Sequence, residues 1–207
     1  RYAGARIVAF SSGNVYPFVP VDSGGATEQT PPGPVGEYAM SCLGRERMFD
    51  YVSHHAGTKV LHLRLNYAVE LRYGVIVDVA RKVLAGEPID LSMGHFNAVW
   101  QGYANEVALR ALALADSPPA ILNVTGLETV SVRRLAARLG ELLGRGPVLV
   151  GEEAPQALLS NASRCHRHFG SPRYDLDTVA AWTARWISSG GPLLDKPTHF
   201  ETRDGRF

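Results

Sequence analysis

The chain alternates short apolar runs with longer stretches whose apolar residues recur at helical spacing. Arg6 to Phe10 (Arg-Ile-Val-Ala-Phe) is too apolar for a strand with one wet face, so residues 6–12 read as a buried strand. A loop rich in Pro and Gly follows over 17–36. A helical pattern then runs over 36–56 and is closed by Gly57. Lys59 to Asn66 (Lys-Val-Leu-His-Leu-Arg-Leu-Asn) predicts a second strand, half alternating and half buried. A helix over 74–85 stops at Gly86, and a short strand lies near Ile89-Asp90-Leu91. Residues 102–115 are apolar at helical spacing, through Val107, Ala108, Ala111, Leu112 and Ala115, and end before Pro118-Pro119. Ile121 to Val124 is a strand. Ser131 caps a helix from Val132 to Leu143, with Leu135, Ala136, Leu139, Leu142 and Leu143 on one face. Val148 to Val150 is another short strand, helices follow at about 162–168 and 176–188, and the tail from Gly190 is irregular. Strands alternating with helices argue an α/β fold with a mainly parallel sheet.

Composition narrows the class. With 207 residues and 45% hydrophobic content the chain can bury a core for one domain or one and a half. A net charge of +1 makes no electrostatic case for nucleic acid or an anionic membrane. No apolar stretch approaches the roughly 18–20 residues of a membrane span. The opening Arg1-Tyr2-Ala3-Gly4-Ala5-Arg6 lacks the apolar region of a signal peptide. Cys42 and Cys165 make neither a metal spacing nor a disulfide framework, so a reducing cytoplasm is the default and no metal is expected. Cys165-His166-Arg167-His168 has no partner pair elsewhere and reads as a polar helix surface. The chain does not begin with Met and enters a buried-type strand at once, as the middle of a domain does.

The chemistry gathers at the end of the first strand. Ser11-Ser12-Gly13-Asn14-Val15-Tyr16 lies where open α/β sheets place their ligands, and Tyr38 opens the helix that follows. This arrangement resembles the extended short-chain dehydrogenase/reductase family, the NAD-dependent epimerase/dehydratases of nucleotide sugars. There the strand ends in Ser-Ser-x-x-Val-Tyr and the helix begins with Tyr-x-x-x-Lys. Here the second motif is Tyr38-Ala39-Met40-Ser41-Cys42, with cysteine in place of lysine. The resemblance continues through Leu63-Arg64-Leu65-Asn66-Tyr67, through Asn97 to Ala108, and through Asn123-Val124-Thr125-Gly126 followed by Val130-Ser131-Val132. Its last segment is Ser160-Asn161-Ala162-Ser163, and it reaches to about Trp186.

The resemblance implies the C-terminal part of a Rossmann-like, doubly wound parallel sheet with a small α/β substrate lobe. Residues 1–70 are then the second half of an NAD(P)-binding domain. Residues 71–207 are mainly substrate lobe, with about 95–125 returning to the sheet. It implies NAD or NADP as cofactor and a nucleotide-sugar substrate for an epimerase, dehydratase or reductase working by hydride transfer. The alternative is a catalytically impaired relative that binds or senses a ligand. By the same resemblance Ser12 and Tyr38 are catalytic, with Cys42 at the lysine position. Phe10, Ser11, Tyr38, Asn66 and Tyr67 face the cofactor, and Asn14, Asn97 and Gln101 face the substrate. The family's helix also commonly pairs two copies, which makes the Tyr38 helix a homodimer contact. Along it Glu46, Arg47 and Asp50 read as an exposed stripe, with Leu43, Met48 and Tyr51 opposite.

Two departures bear on function. No Gly-x-x-Gly-x-x-Gly occurs in the chain, so the backbone cradle for a pyrophosphate is expected in roughly a hundred residues upstream. A thiol at position 42 supplies neither the charge nor the three donors of an ammonium group that would stabilise a phenolate. Bland readings stand beside the functional ones: Ser12 as a turn cap, Tyr38 and Cys42 as packing residues, and Asn66 as a loop cap.

Overall fold

The computed structural model describes residues 4–206. The first half of the chain forms β1 (Arg6–Ser12), β2 (Val19–Pro20), α1 (Gly36–Ala56), β3 (Lys59–Leu65), β4 (Ala68–Val69) and α2 (Val75–Ala85). It continues with β5 (Pro88–Asp90), β6 (His95–Phe96), β7 (Val99–Trp100), α3 (Gln101–Arg110) and β8 (Ala120–Val124). Then come β9 (Val130–Ser131), α4 (Val132–Leu143), β10 (Val148–Val150), β11 (Gln156–Ala157), α5 (Ser163–Phe169) and α6 (Leu176–Ser188).

A three-stranded parallel sheet in the order β1-β3-β8 organises the molecule, with Arg6 opposite Lys59 and Leu61 opposite Ala120. A parallel pair needs a crossover, and α1 supplies it between β1 and β3. The helix stops where expected: Gly57 takes the left-handed conformation (φ 65°) and its N–H donates to the Ser53 carbonyl. Among the described residues β1 pairs along one edge only.

The alternation in β3 sorts its side chains between two faces. Leu61 and Leu63 join Leu122 and Val124 of β8 against Ala104 and Val107 of α3 and Cys165 of α5. His62 and Arg64 point the other way, under α1. There Glu46 accepts two hydrogen bonds from the Arg64 guanidinium (2.9 and 2.7 Å) and one from the Ser11 hydroxyl (2.5 Å). Asp50 pairs with His62 at 2.8 Å. The spacings match: four helical residues rise about 6 Å, and two strand residues about 6.6 Å. One ladder of acids therefore meets one ladder of bases. This corrects the expectation of an exposed stripe, because Glu46 is only 3% exposed and only Arg47 of the three stays fully outside. Leu43 likewise turns inward, against Val15 and Tyr16.

The remaining helices build a second lobe. α2, α4 and α6 share a core that includes Val79, Val83, Leu135, Leu139 and Val179. The Ser131 hydroxyl caps α4 by accepting from the Arg134 N–H at 3.3 Å, as the sequence suggests. The parallel pair β5–β10 lies beside this lobe, and two-residue pairings (β2–β11, β4–β7, β6–β9) knit it to the sheet. The helix expected over 102–115 is shorter, since α3 ends at Arg110 and a 3₁₀ turn, Ala111–Leu114, follows. Cys165 is fully buried rather than on a polar surface. No helix among the described residues is long and apolar enough to cross a membrane.

Candidate active site

A crevice of about 440 Å³ opens at the C-terminal ends of β1 and β3. Ser11 and Ser12 end β1, Tyr38 stands on the first turn of α1, and Leu65, Tyr67 and Ala68 follow from β3, so topology alone brings these residues to one edge. The Ser12 hydroxyl accepts from the Asn14 N–H at 3.1 Å, capping the Gly13–Val15 turn, and donates to the Asn14 side-chain oxygen at 2.9 Å. Gly13 is needed there, because a Cβ would meet Ser160 Oγ at 2.9 Å and the Asn66 side chain at 3.0 Å. Ser12 is thus both a turn cap and a wall of the crevice.

Tyr38 is half exposed, yet its phenol stands beside Ser12 and the Cys42 thiol, which both act on it. Burial of the hydroxyl end, then the neighbouring Cys42, raises the phenol above its ordinary value of 10.0; Ser12 and Arg45 pull downward without offsetting them. Cys42 itself is buried among Val15, Tyr16 and Ala26 and does not line the crevice. The Arg45 guanidinium donates to the Cys42 sulfur at 3.6 Å, so the cation that pulls on the phenol is engaged with the thiol.

Beneath this edge lies the charged ladder. Burial by itself would raise the Glu46 carboxyl, but the hydrogen bonds from Arg64 and Ser11 and the Arg64 charge outweigh it and hold the group below the usual carboxylate range. Arg64 also lies 4.8 Å over the Tyr16 ring, and the Tyr16 hydroxyl donates to Asn123 (2.8 Å). Tyr16 and Asn123, both within motif segments, are buried struts between the sheet and its loops.

No protein-family model and no curated protein matches the chain. Solved structures match it by fold. A UDP-glucose 4-epimerase from Thermus thermophilus, solved with NAD, superposes with a TM-score of 0.72 at 22% identity, covering 89% of this chain and 64% of its own. The dTDP-glucose 4,6-dehydratase DesIV from Streptomyces venezuelae, with NAD bound, gives 0.71 at 22% identity over 89% of this chain and 60% of its own. A UDP-glucuronic acid 4-epimerase from Bacillus cereus gives 0.74 at 14% identity over 88% and 61%. This chain shares the fold of these three solved proteins. It spans less than two thirds of the length of each of these three proteins.

Within this shared fold the structure gathers some of the residues singled out in the sequence and separates others. Ser11, Ser12, Asn14, Tyr38 and Tyr67 line the crevice. Asn66 and Asn97 do not: the Asn66 amide donates to Asn97 Oδ1 (2.6 Å) and the Leu158 carbonyl (3.4 Å), and Asn97 donates to the Ser160 carbonyl (2.6 Å). Both are buried and spent on holding loops together. Gln101 is exposed at the start of α3 and lines no part of the crevice. Phe10 does not line the crevice either: it is 48% exposed on β1, which has one free edge among the described residues and is therefore not the buried strand expected.

Among the lining residues that went unremarked in the sequence are three from the irregular tail, Pro197, Thr198 and His199. Thr198 donates through its N–H (2.8 Å) and hydroxyl (2.6 Å) to Asp78 of α2, and Phe200 is buried in the lobe core. Tyr73 completes that side, its hydroxyl raised by burial and then by the Asp78 charge. No periodicity marks the tail, and only its Pro and aromatic residues hint that it is ordered.

Proposed function

We propose that this chain carries the proton-handling part of an NAD(P)-dependent epimerase, dehydratase or reductase acting on a nucleotide sugar. The observation that carries this reading is that Ser12 and Tyr38 line one crevice at the C-terminal ends of parallel strands. The fold it shares with NAD-bound nucleotide-sugar enzymes agrees with it. The residues present fit the nicotinamide end of such a cofactor through Tyr38 and Tyr67. They offer no cation at position 42 for its ribose and no glycine-rich turn for its pyrophosphate. A bound nicotinamide would supply or accept the hydride.

The chain's own part is proton transfer. Ser12 positions the reacting oxygen, and Tyr38 exchanges a proton with it. Because the phenol is held above its ordinary value, Tyr38 stays protonated near neutral pH, which leaves it able to donate to a carbonyl oxygen only as a weak acid and unable to accept from an alcohol. Full-length protein assayed with NAD(P)(H) and nucleotide sugars tests this: Tyr38→Phe should lower turnover by about 10²–10⁴-fold. Equal turnover in wild type, Tyr38→Phe and Cys42→Lys at matched cofactor saturation would end the proton-transfer role of Tyr38, and no turnover in any of them would end the enzymatic reading.

The buried Cys42 favours a second reading, a relative that binds or senses the same ligand without turning it over. Under it, nucleotide sugar binds and no hydride transfer follows. The same helix also suggests an assembly. Met40, Met48, Tyr51 and Val52 are 54, 67, 60 and 43% exposed along the side of α1 facing away from the sheet, a surface suited to a second copy. Met48→Glu should shift a dimer to monomer in sedimentation velocity; a wild type that sediments as monomer at high concentration removes the dimer from the proposal.

A further inference from the structure

The tail is irregular in backbone but tied down along its length. The Leu194 N–H donates to the Arg72 carbonyl (3.1 Å), and Lys82 pairs with Glu201 (2.9 Å). Arg203 donates to the Ser92 and Gln156 carbonyls, and Gly205 packs against Gly36 at the start of the helix bearing Tyr38. Within this strap Pro197 and His199 form a partition. On one side is the crevice of Ser12 and Tyr38. On the other is a cavity of about 400 Å³ bordered by Asp78, Arg81, Lys82, Glu87, Asp195 and Glu201.

The two sides differ in kind. The second cavity is bordered by six ionic side chains; the crevice is bordered by none, only by hydroxyls, phenols, an amide, apolar groups and the His199 imidazole. Backbone conformation singles out the same residue. Three non-glycine residues among those described have left-handed backbone: Tyr67 (φ 40°), Asp195 (φ 50°) and His199 (φ 51°). Two of them, Tyr67 and His199, line the crevice. Such conformations persist where surrounding contacts enforce them, and they concentrate at ligand sites.

Building on the nucleotide-sugar reading, we propose that Pro197–His199 is the substrate-facing wall of this crevice, that His199 hydrogen-bonds a ring hydroxyl there, and that the ring accepted is uncharged. An imidazole both donates and accepts, which suits a hydroxyl. A sugar carboxylate entering the crevice would lose water and meet no lysine or arginine among the described residues that line it, a cost that a neutral ring avoids. His199 is therefore a specificity-determining residue, and the strap keeps the ionic cavity apart from the site.

Calorimetric titration of the full chain with UDP-glucose, dTDP-glucose and UDP-glucuronic acid tests this, alongside His199→Ala and His199→Gly. At least one glucose nucleotide should bind about tenfold or more tighter than the glucuronate. Each His199 variant should weaken that binding by about 3- to 10-fold, the worth of one hydrogen bond. His199→Gly should also melt at or above the wild-type temperature, because glycine relieves the left-handed backbone. Loss of affinity with retained stability is an effect that a merely structural histidine cannot give. Unchanged glucose-nucleotide affinity in His199→Gly, or equal affinity for the glucuronate, overturns the inference and leaves the nucleotide-sugar reading standing. Failure of the wild type to bind any of the three overturns both.

Discussion

The inner face of α1 carries two environments within three turns. At Glu46 and Asp50 every acid has a base opposite it on β3, and Glu46 and Arg64, though almost fully buried, satisfy one another with two hydrogen bonds. At Tyr38 and Cys42, on the same side of the same helix, a phenol meets a thiol, and the cation that pulls on the phenol is engaged with the sulfur. Both regions are buried on their inner side; they differ in counter-charge. Where it is present, a carboxylate stays ionised in spite of burial. Where it is only the outweighed pull of Arg45, burial keeps the phenol protonated. The helix is thus held by charges that take no part in the crevice, and the crevice lacks the one charge that would make Tyr38 a base.

The contrast can be broken from its stronger side. Arg64→Met leaves Glu46 buried without its cation and should cost about 3–5 kcal/mol in denaturant unfolding. Glu46→Met combined with Arg64→Met should recover most of that loss, since two apolar side chains replace the pair. A single variant as stable as wild type would mean that the ladder does not hold α1 on the sheet.

Installing the missing charge sharpens it from the other side. Cys42→Lys in the full-length protein should raise turnover about tenfold for each unit by which the phenol falls, because one unit corresponds to about 1.4 kcal/mol. The alkaline limb of alcohol oxidation should move toward neutral pH. Unchanged turnover with an unchanged pH profile would remove the missing charge as the limiting factor.

Acid should distinguish the two regions with a smaller effect. The Glu46 carboxyl is lowered in the folded state, so its stabilisation is present above the unfolded value of about 4.3. It is lost as pH falls through the lower folded value. Wild type should therefore lose stability below about pH 4.3 more steeply than the Glu46→Met/Arg64→Met variant. Parallel acid curves would contradict the assignment.

Much of this arrangement is legible in the residues themselves. Gly57 and Ser131 end and begin helices by capping chemistry that needs no distant partner, and the apolar runs at 6–12 and 59–65 form the central parallel pair. What stays hidden depends on residues far apart in the chain. Glu46 looks like a solvent-facing acid until Arg64 is seen across from it, although the four-residue spacing of Glu46 and Asp50 and the two-residue spacing of His62 and Arg64 already fit a helix crossing a strand. Asn66 and Asn97, 31 positions apart, spend their amides on each other and on carbonyls, which no local pattern announces. The two-residue strands and the tail leave no periodic signal, so His199 comes to light only from its place in the crevice.

The central claim is that Tyr38 is held as a neutral phenol because its hydroxyl end is buried and position 42 carries a thiol instead of a cation. Ultraviolet difference titration of wild type against Tyr38→Phe isolates this one phenol among the eight tyrosines. The difference signal should appear only above pH 10 in the wild type, and below it when the same pair is compared in the Cys42→Lys background. A wild-type Tyr38 that ionises below pH 10, or a signal that Cys42→Lys does not move, would contradict the account.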